Sequence, residues 1–326
     1  MKTVFINGGA GLIGAVVARK MAHSGHRVVV FDSFAHYISP LRIAIKNYID
    51  LRFQGIEDEV IIERGDTTNA GHAKRILEKY QPEYVLHLAA VPLADLSNVH
   101  IEEAVNNIFL GTVNMLEAVS GMSQLRKFVY VSSSMAYGDF QSIPCPEDHP
   151  KRPKDIYGGC KYAGEIMTEV FGQRFNVPYT IVRPSAVYGP FDVNRRVSQI
   201  FIENALSGKP LWLHGGGKLA FDFTYVDDIA DGLILALLKD EAIGEAFNIT
   251  YGKSYSLYDF AIALKRLIPS VDIEIVDDVD QHRPIRGALS IEKARRVLGY
   301  DPKFPLERGL ELYVNTYREL GIFSTI

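Results

Sequence analysis

The chain of 326 residues is 47% hydrophobic and carries 35 basic against 39 acidic side chains, for a net charge of −4. That length supports one large fold or two joined lobes with a sizeable core, and no stretch has Lys and Arg dominating a face, so nucleic acid is not expected as a partner. The longest apolar run, 233–238, falls far short of the ~20 residues a membrane-spanning helix needs, and the first strand-like run starts too near Met1 for a secretory leader, so a cytosolic protein is expected.

Val4-Phe5-Ile6 reads as the first strand, and Asn7-Gly8-Gly9-Ala10-Gly11-Leu12-Ile13-Gly14 as a Gly-rich turn opening an apolar helix. Strand, turn and helix in that order suit a dinucleotide. Gly residues let the backbone turn tightly and approach a pyrophosphate at the partly positive helix N-terminus, and Gly14 lets helix lie close on strand. Val28-Val29-Val30-Phe31 forms the second strand, closed by Asp32, 18 residues after Gly14. A carboxylate there takes the adenosine ribose hydroxyls and repels a 2′-phosphate, favouring NAD over NADP; the alternative is a carboxylate that caps the next loop. Val60-Ile61-Ile62 is the third strand, followed by Gly65-Asp66, either an adenine contact or a simple strand end.

Tyr84-Val85-Leu86 and Phe128-Val129-Tyr130-Val131 come next, the latter running into Ser132-Ser133-Ser134. Cys145 lies in a Pro-rich loop pattern and Cys160 in a helical one, so two free thiols are expected, and the nine His show no spacing that predicts a metal. In Tyr157-Gly158-Gly159-Cys160-Lys161 a Tyr and a Lys four apart share a helix face. An ammonium beside a phenol, whose ordinary pKa is about 10, favours the phenolate. Tyr157 is therefore predicted as the base, Lys161 as the group that lowers its pKa and holds the nicotinamide ribose, and Ser133 as a hydrogen-bond donor to the substrate oxygen.

Beyond Tyr179-Thr180-Ile181-Val182 the spacing becomes irregular, with Gly/Pro punctuation at Gly189-Pro190, Gly215-Gly216-Gly217, Pro302 and Pro305. The earlier apolar runs are continuous rather than alternating, which implies burial on both faces. The expected fold is α/β, a Rossmann-type doubly wound parallel sheet with a smaller C-terminal lobe. Residues 1–183 are expected to hold the dinucleotide and 184–326 mainly the substrate, with some segments returning to the first unit and the substrate bound between them.

Together these residues resemble the extended short-chain dehydrogenase/reductases, in the NAD-dependent nucleotide-sugar epimerase/dehydratase family. The resemblance runs end to end and also rests on His87-Leu88-Ala89-Ala90, Asn107, Tyr137-Gly138, Arg183-Pro184, Val187-Tyr188-Gly189-Pro190 and the 223–229 segment. It implies NAD held by Gly8, Gly11, Leu12, Ile13, Gly14, Asp32, Ser33, Asp66, Thr67, Leu88, Ala89, Ala90, Asn107, Tyr157, Lys161 and Pro184. It implies a nucleotide sugar, oxidised by Tyr157 and NAD and processed as a 4-keto sugar. It also implies a homodimer formed through helices around Val99 to Ser120 and Tyr157 to Phe175, whose apolar faces equally suit an internal core.

Family members that dehydrate the 4,6 positions resemble one another in an Asp-Glu pair after the catalytic Ser/Thr, and the decarboxylases in the Glu; here Ser134 and Met135 stand there. A 4-epimerase is therefore expected. The 37–42 segment, with Ser39-Pro40-Leu41, resembles an insertion of uronic-acid 4-epimerases, which favours a UDP-sugar whose carboxylate meets Arg195 or Arg196; pyrophosphate binding or solvent exposure is the alternative for these arginines. Ser134, Met135 and Ser185 are expected to line the substrate. Ala186 and Phe221 replace the family's usual diphosphate-binding Asn and Arg, while in His282-Arg283-Pro284-Ile285-Arg286 the residue Arg283 matches another diphosphate Arg and Arg286 offers a substitute. A 4-ketoreductase using soluble NAD(P)H needs the same Ser/Tyr/Lys set and stays open, whereas a silent dinucleotide sensor is disfavoured by the presence of both Tyr157 and Lys161.

Overall fold

A computed structural model describes residues 1–278 and 283–323. Seven parallel strands form its main sheet: β1 (Thr3–Asn7), β2 (Arg27–Asp32), β3 (Val60–Arg64), β4 (Tyr84–His87), β5 (Lys127–Val131), β6 (Tyr179–Arg183) and β7 (Glu245–Asn248). Their order is β7-β6-β5-β4-β1-β2-β3. Alternate side chains feed two cores: Val4, Ile6, Val28, Val30 and Leu86 pack on one face, and Phe5, Val29, Phe31, Val85 and Phe128 on the other. Burial on both faces is why these strands read as unbroken apolar runs. β7 went unread in the sequence because Glu245-Ala246-Phe247-Asn248 is short and half polar; it completes the sheet by pairing with β6.

The chain enters at the middle of the sheet, proceeds to β2 and β3, then crosses back to β4 on the other side of β1. At that switch point the loops after β1 and β4 diverge and leave a crevice at the carboxyl ends of the strands. Gly8 N–H donates to Phe31 O at 2.8 Å and Leu88 N–H to Asn7 O at 2.8 Å, so both loops start in register. Helix α1 (Leu12–His23) follows the first loop, α2 (Tyr48–Phe53) lies between β2 and β3, α3 (Gly111–Val119) between β4 and β5, and α4 (Ile156–Phe175) between β5 and β6.

Beneath the crevice lies a buried ion pair. Glu165 of α4 accepts from Arg183 Nε at 2.8 Å and Nη2 at 2.7 Å, and from Ser132 Oγ at 2.5 Å. Arg183 Nη1 donates to Tyr137 Oη at 2.9 Å, which donates onward to Asn248 of β7 at 2.8 Å. Cys145 and Cys160 are both free and buried, and among the described residues no helix is long and apolar enough to cross a membrane.

Replacing Glu165 by Ala strands the Arg183 guanidinium in the interior, so E165A should lower the unfolding free energy by about 3–5 kcal/mol. Urea unfolding followed by circular dichroism checks this, and a loss under about 1 kcal/mol would contradict a paired, desolvated charge.

Candidate active site

The Gly-rich turn forms the floor of the crevice. Gly8 has a left-handed φ of +74°, and a Cβ there would stand 2.6 Å from Ala89 N in the neighbouring loop. At Gly14 a Cβ would meet Gly9 Cα at 2.6 Å and Gly8 O at 2.7 Å, so the close approach is of α1 onto the turn itself rather than onto the strand. Gly11 caps α1 without a side-chain hydrogen bond, which leaves the first-turn amides to a phosphate.

All the residues expected to hold the dinucleotide, from Gly8 to Pro184, line one cleft of about 1280 Å³, counting the part open to solvent. Asp32 both caps and faces this cleft: it accepts from Ala10 N–H at 2.9 Å and Phe34 N–H at 2.8 Å. Burial raises its pKa while those two bonds oppose the shift. Asp66 likewise holds its own turn, through Thr68 N–H and Oγ1, both at 2.8 Å. Asn107 sits in a π-helical turn, Val105–Leu110, that precedes α3. Glycine cradle, helix N-terminus and a carboxylate lining the cleft together fit NAD.

Asn7, also in the lining, donates its amide to His87 Nδ1 at 2.6 Å. Thr112 gives its own proton to Ile108 O at 2.6 Å, so at 3.0 Å it accepts from His87 Nε2–H. Both ring nitrogens are thus satisfied in the neutral tautomer, and burial depresses the pKa to about 3.

Ser133 Oγ accepts from Met135 N–H at 3.2 Å, and its hydroxyl is near enough to Tyr157 to act on the phenol's pKa. Ser133 is buried and lies outside the cleft lining, which Tyr157 and Lys161 join. Burial raises the Tyr157 pKa, opposed by the charge of Arg196, the Ser133 hydroxyl and the charge of Arg286. Lys161 Nζ lies 5.9 Å from the Tyr157 ring centroid and donates to Val131 O at 2.8 Å. Its own pKa falls to about 7 through burial, against the charge of Glu165.

Of the expected substrate residues, Arg196 lines the same cleft, its Nη1 shared between both Asp192 oxygens at 2.9 and 2.8 Å. Arg195 turns away to Glu203 at 3.2 Å, and Arg283 pairs with Asp95 at 3.1 Å; His282 lies outside the described residues. Ser134, Met135 and Ser185 are buried beside Ser133 and Pro184, and Ser134 Oγ has no partner among the described residues. The Arg286 guanidinium lies 4.7 Å over the Phe221 ring, its buried Nε without a partner among the described residues. A cation thus stands over the residue that replaced one. Ala186 has φ +36°, a region that Asn tolerates better than Ala. Tyr37, from the expected insertion, lines the cleft, as does Arg52, which belongs to no motif and has no sequence signal.

A profile described as the NAD dependent epimerase/dehydratase family matches residues 4–250. The chain belongs to this family. It is 28% identical to the mouse dTDP-D-glucose 4,6-dehydratase, over 98% of this chain and 89% of that one, and 26% identical to Arabidopsis thaliana UDP-glucuronate 4-epimerase 1, over 99% and 78%. The crystal structure of the Bacillus cereus UDP-glucuronic acid 4-epimerase with UDP-glucuronic acid and NAD superposes with a TM-score of 0.87 at 29% identity, covering 98% of this chain and 99% of that one. The Thermotoga maritima UDP-glucose 4-epimerase with UDP-glucose superposes equally well, at 0.87 and 27%, over the same shares. The protein is thus an enzyme of the NAD-dependent epimerase/dehydratase family.

The fixed neutral state of His87 has a consequence for acid stability. Its folded pKa of about 3 lies below the ordinary 6.5, so its contribution is complete above pH 6.5 and is lost as pH falls toward 3, because the unfolded chain takes the proton first. The stability difference between wild type and His87→Gln should therefore hold constant above about pH 7 and shrink on acidification. Urea midpoints of both proteins across that range check it.

Proposed function

We propose that the protein is a cytosolic nucleotide-sugar 4-epimerase that recycles tightly held NAD, with a UDP-hexuronate or UDP-hexose as substrate. The observation that carries this reading is the pairing of a complete Ser133, Tyr157 and Lys161 set with Ser134 and Met135 where elimination of water would need carboxyl groups. Tyr157 takes the proton of the C4 hydroxyl, and Ser133 holds that oxygen as its charge changes. NAD held by the Gly8–Gly14 turn and Asp32 would supply the acceptor for the C4 hydride, and the same hydride would return to the opposite face of C4 once the 4-keto sugar had turned over in the cleft. Lys161, buried on the same helix face with its Nζ 5.9 Å from the Tyr157 ring centroid, holds the nicotinamide ribose in this reading.

Residues 184–326 form the substrate side in this reading. Arg286 over Phe221 meets the diphosphate, and Arg196 turns from Asp192 toward a uronate carboxylate. The likeness to the Bacillus cereus enzyme bound to UDP-glucuronic acid supports that choice of donor. A second copy of the chain is proposed to cover Val99, Ile101, Leu110, Ile166 and Val170, which are exposed apolar side chains on the 94–119 stretch and α4.

The decisive experiment incubates purified protein, without added NAD, with UDP-glucuronate and separately with UDP-glucose, followed by proton NMR. Conversion to the 4-epimer is expected, and Tyr157→Phe should lose at least about 100-fold in turnover while staying folded. A requirement for supplied NAD(P)H would make the protein a 4-ketoreductase instead. For the dimer, the double variant Ile166→Glu, Val170→Glu should elute at the monomer mass in light scattering, and an unchanged mass would remove this face from the interface.

A further inference from the structure

Arg52 stands apart from the residues that the reaction uses, yet it joins both walls of the cleft. It is 7% exposed on α2. Its Nη1 donates to Ala10 O and its Nη2 to Phe191 O, each at 2.6 Å, while the guanidinium lies 4.7 Å over the Tyr48 ring. Ala10 belongs to the Gly-rich turn, and its N–H is held by Asp32 at 2.9 Å. The turn is therefore fixed on one side by the Asp32 carboxylate and on the other by Arg52. Phe191 has a left-handed φ of +67°, and its N–H donates to Tyr317 Oη at 2.9 Å. The next residue, Asp192, is the partner of Arg196.

One planar guanidinium thus spans from the pyrophosphate turn to the loop that aims Arg196 into the substrate side. Lysine, with a single point charge, cannot hold two carbonyls in this fork geometry. Burial lowers the Arg52 pKa, and the charges of Asp192 and Asp32 with the phenols Tyr48 and Tyr317 counter it. The cation therefore leans on both walls at once.

We propose that Arg52 is a positioning residue that retains the dinucleotide by fixing the Gly-rich turn and links that retention to occupancy of the substrate loop. The link rests on the reading of the second wall as a nucleotide-sugar site; the retention does not.

The test loads wild type, Arg52→Met and Arg52→Lys with radiolabelled NAD and chases with unlabelled NAD, with and without saturating UDP. Without UDP, Arg52→Met should release label at least about tenfold faster than wild type, the scale of a lost charge-assisted hydrogen bond, and Arg52→Lys should fall between them. UDP should slow release from wild type and leave Arg52→Met unaffected, a coupling that a merely structural strut would not create. A folded Arg52→Met with wild-type release overturns the proposal. Should the methionine variant not fold, Arg52→Lys decides: wild-type release and response overturn it. Equal UDP effects in wild type and variant overturn the link. Calorimetric titration of wild type with UDP reports separately on the nucleotide-sugar reading, so the two failures are distinguishable.

Discussion

The Glu165 carboxylate is the point on which the catalytic end of the molecule is assembled. It receives Ser132 from the end of β5 and Arg183 from the end of β6, and Arg183 passes the connection through Tyr137 to Asn248 at the end of β7. Three strand ends and α4 are thereby set relative to one another by charge-assisted bonds in a dry interior, where such bonds are strong and geometrically demanding. Tyr157 and Lys161 lie about two turns and one turn before Glu165 on the same helix, and Ser133 directly follows Ser132. The spacing of the reacting groups is inherited from a pair that never meets the substrate.

A different economy governs the other wall. Ala186, Phe191 and Arg195 all adopt left-handed φ values, of 36°, 67° and 59°. Each such non-glycine residue costs about 1–3 kcal/mol and persists where its surroundings over-determine it. They do so here: Tyr317 takes the Phe191 N–H, Arg52 its carbonyl, and Gln199 the Arg195 N–H at 2.7 Å. The contortion separates neighbouring arginines, sending Arg195 to Glu203 and Arg196 into the cleft.

Much of this was legible in the sequence, for physical reasons. Six strands of the sheet announce themselves as unbroken apolar runs because both faces are covered, and Gly8 to Gly14 announce a phosphate turn because a side chain at Gly8 or Gly14 would strike backbone. β7 is too short and polar to carry that signal. Which of Arg195 and Arg196 faces the cleft depends on a φ that no residue type at 195 dictates, and Arg52 acts on backbone carbonyls of residues distant in the chain, a contact that leaves no pattern of residue types behind. Spacing on a helix places Lys161 near Tyr157 without revealing how dry the pair is, so the burial that raises the Tyr157 pKa left no trace in the sequence.

The π turn at Val105–Leu110 adds a residue to one helical turn, and one residue on a helix is a rotation of about 100°. Asn107 looks into the cleft while Leu110 lies on the outer surface because of that extra residue. The stretch therefore behaves as a phase shifter between two surfaces with unrelated tasks. Removing one residue there would keep the composition and the helix, and would put the rows on either side of it out of phase, so that cleft and outer face could not both keep their residues.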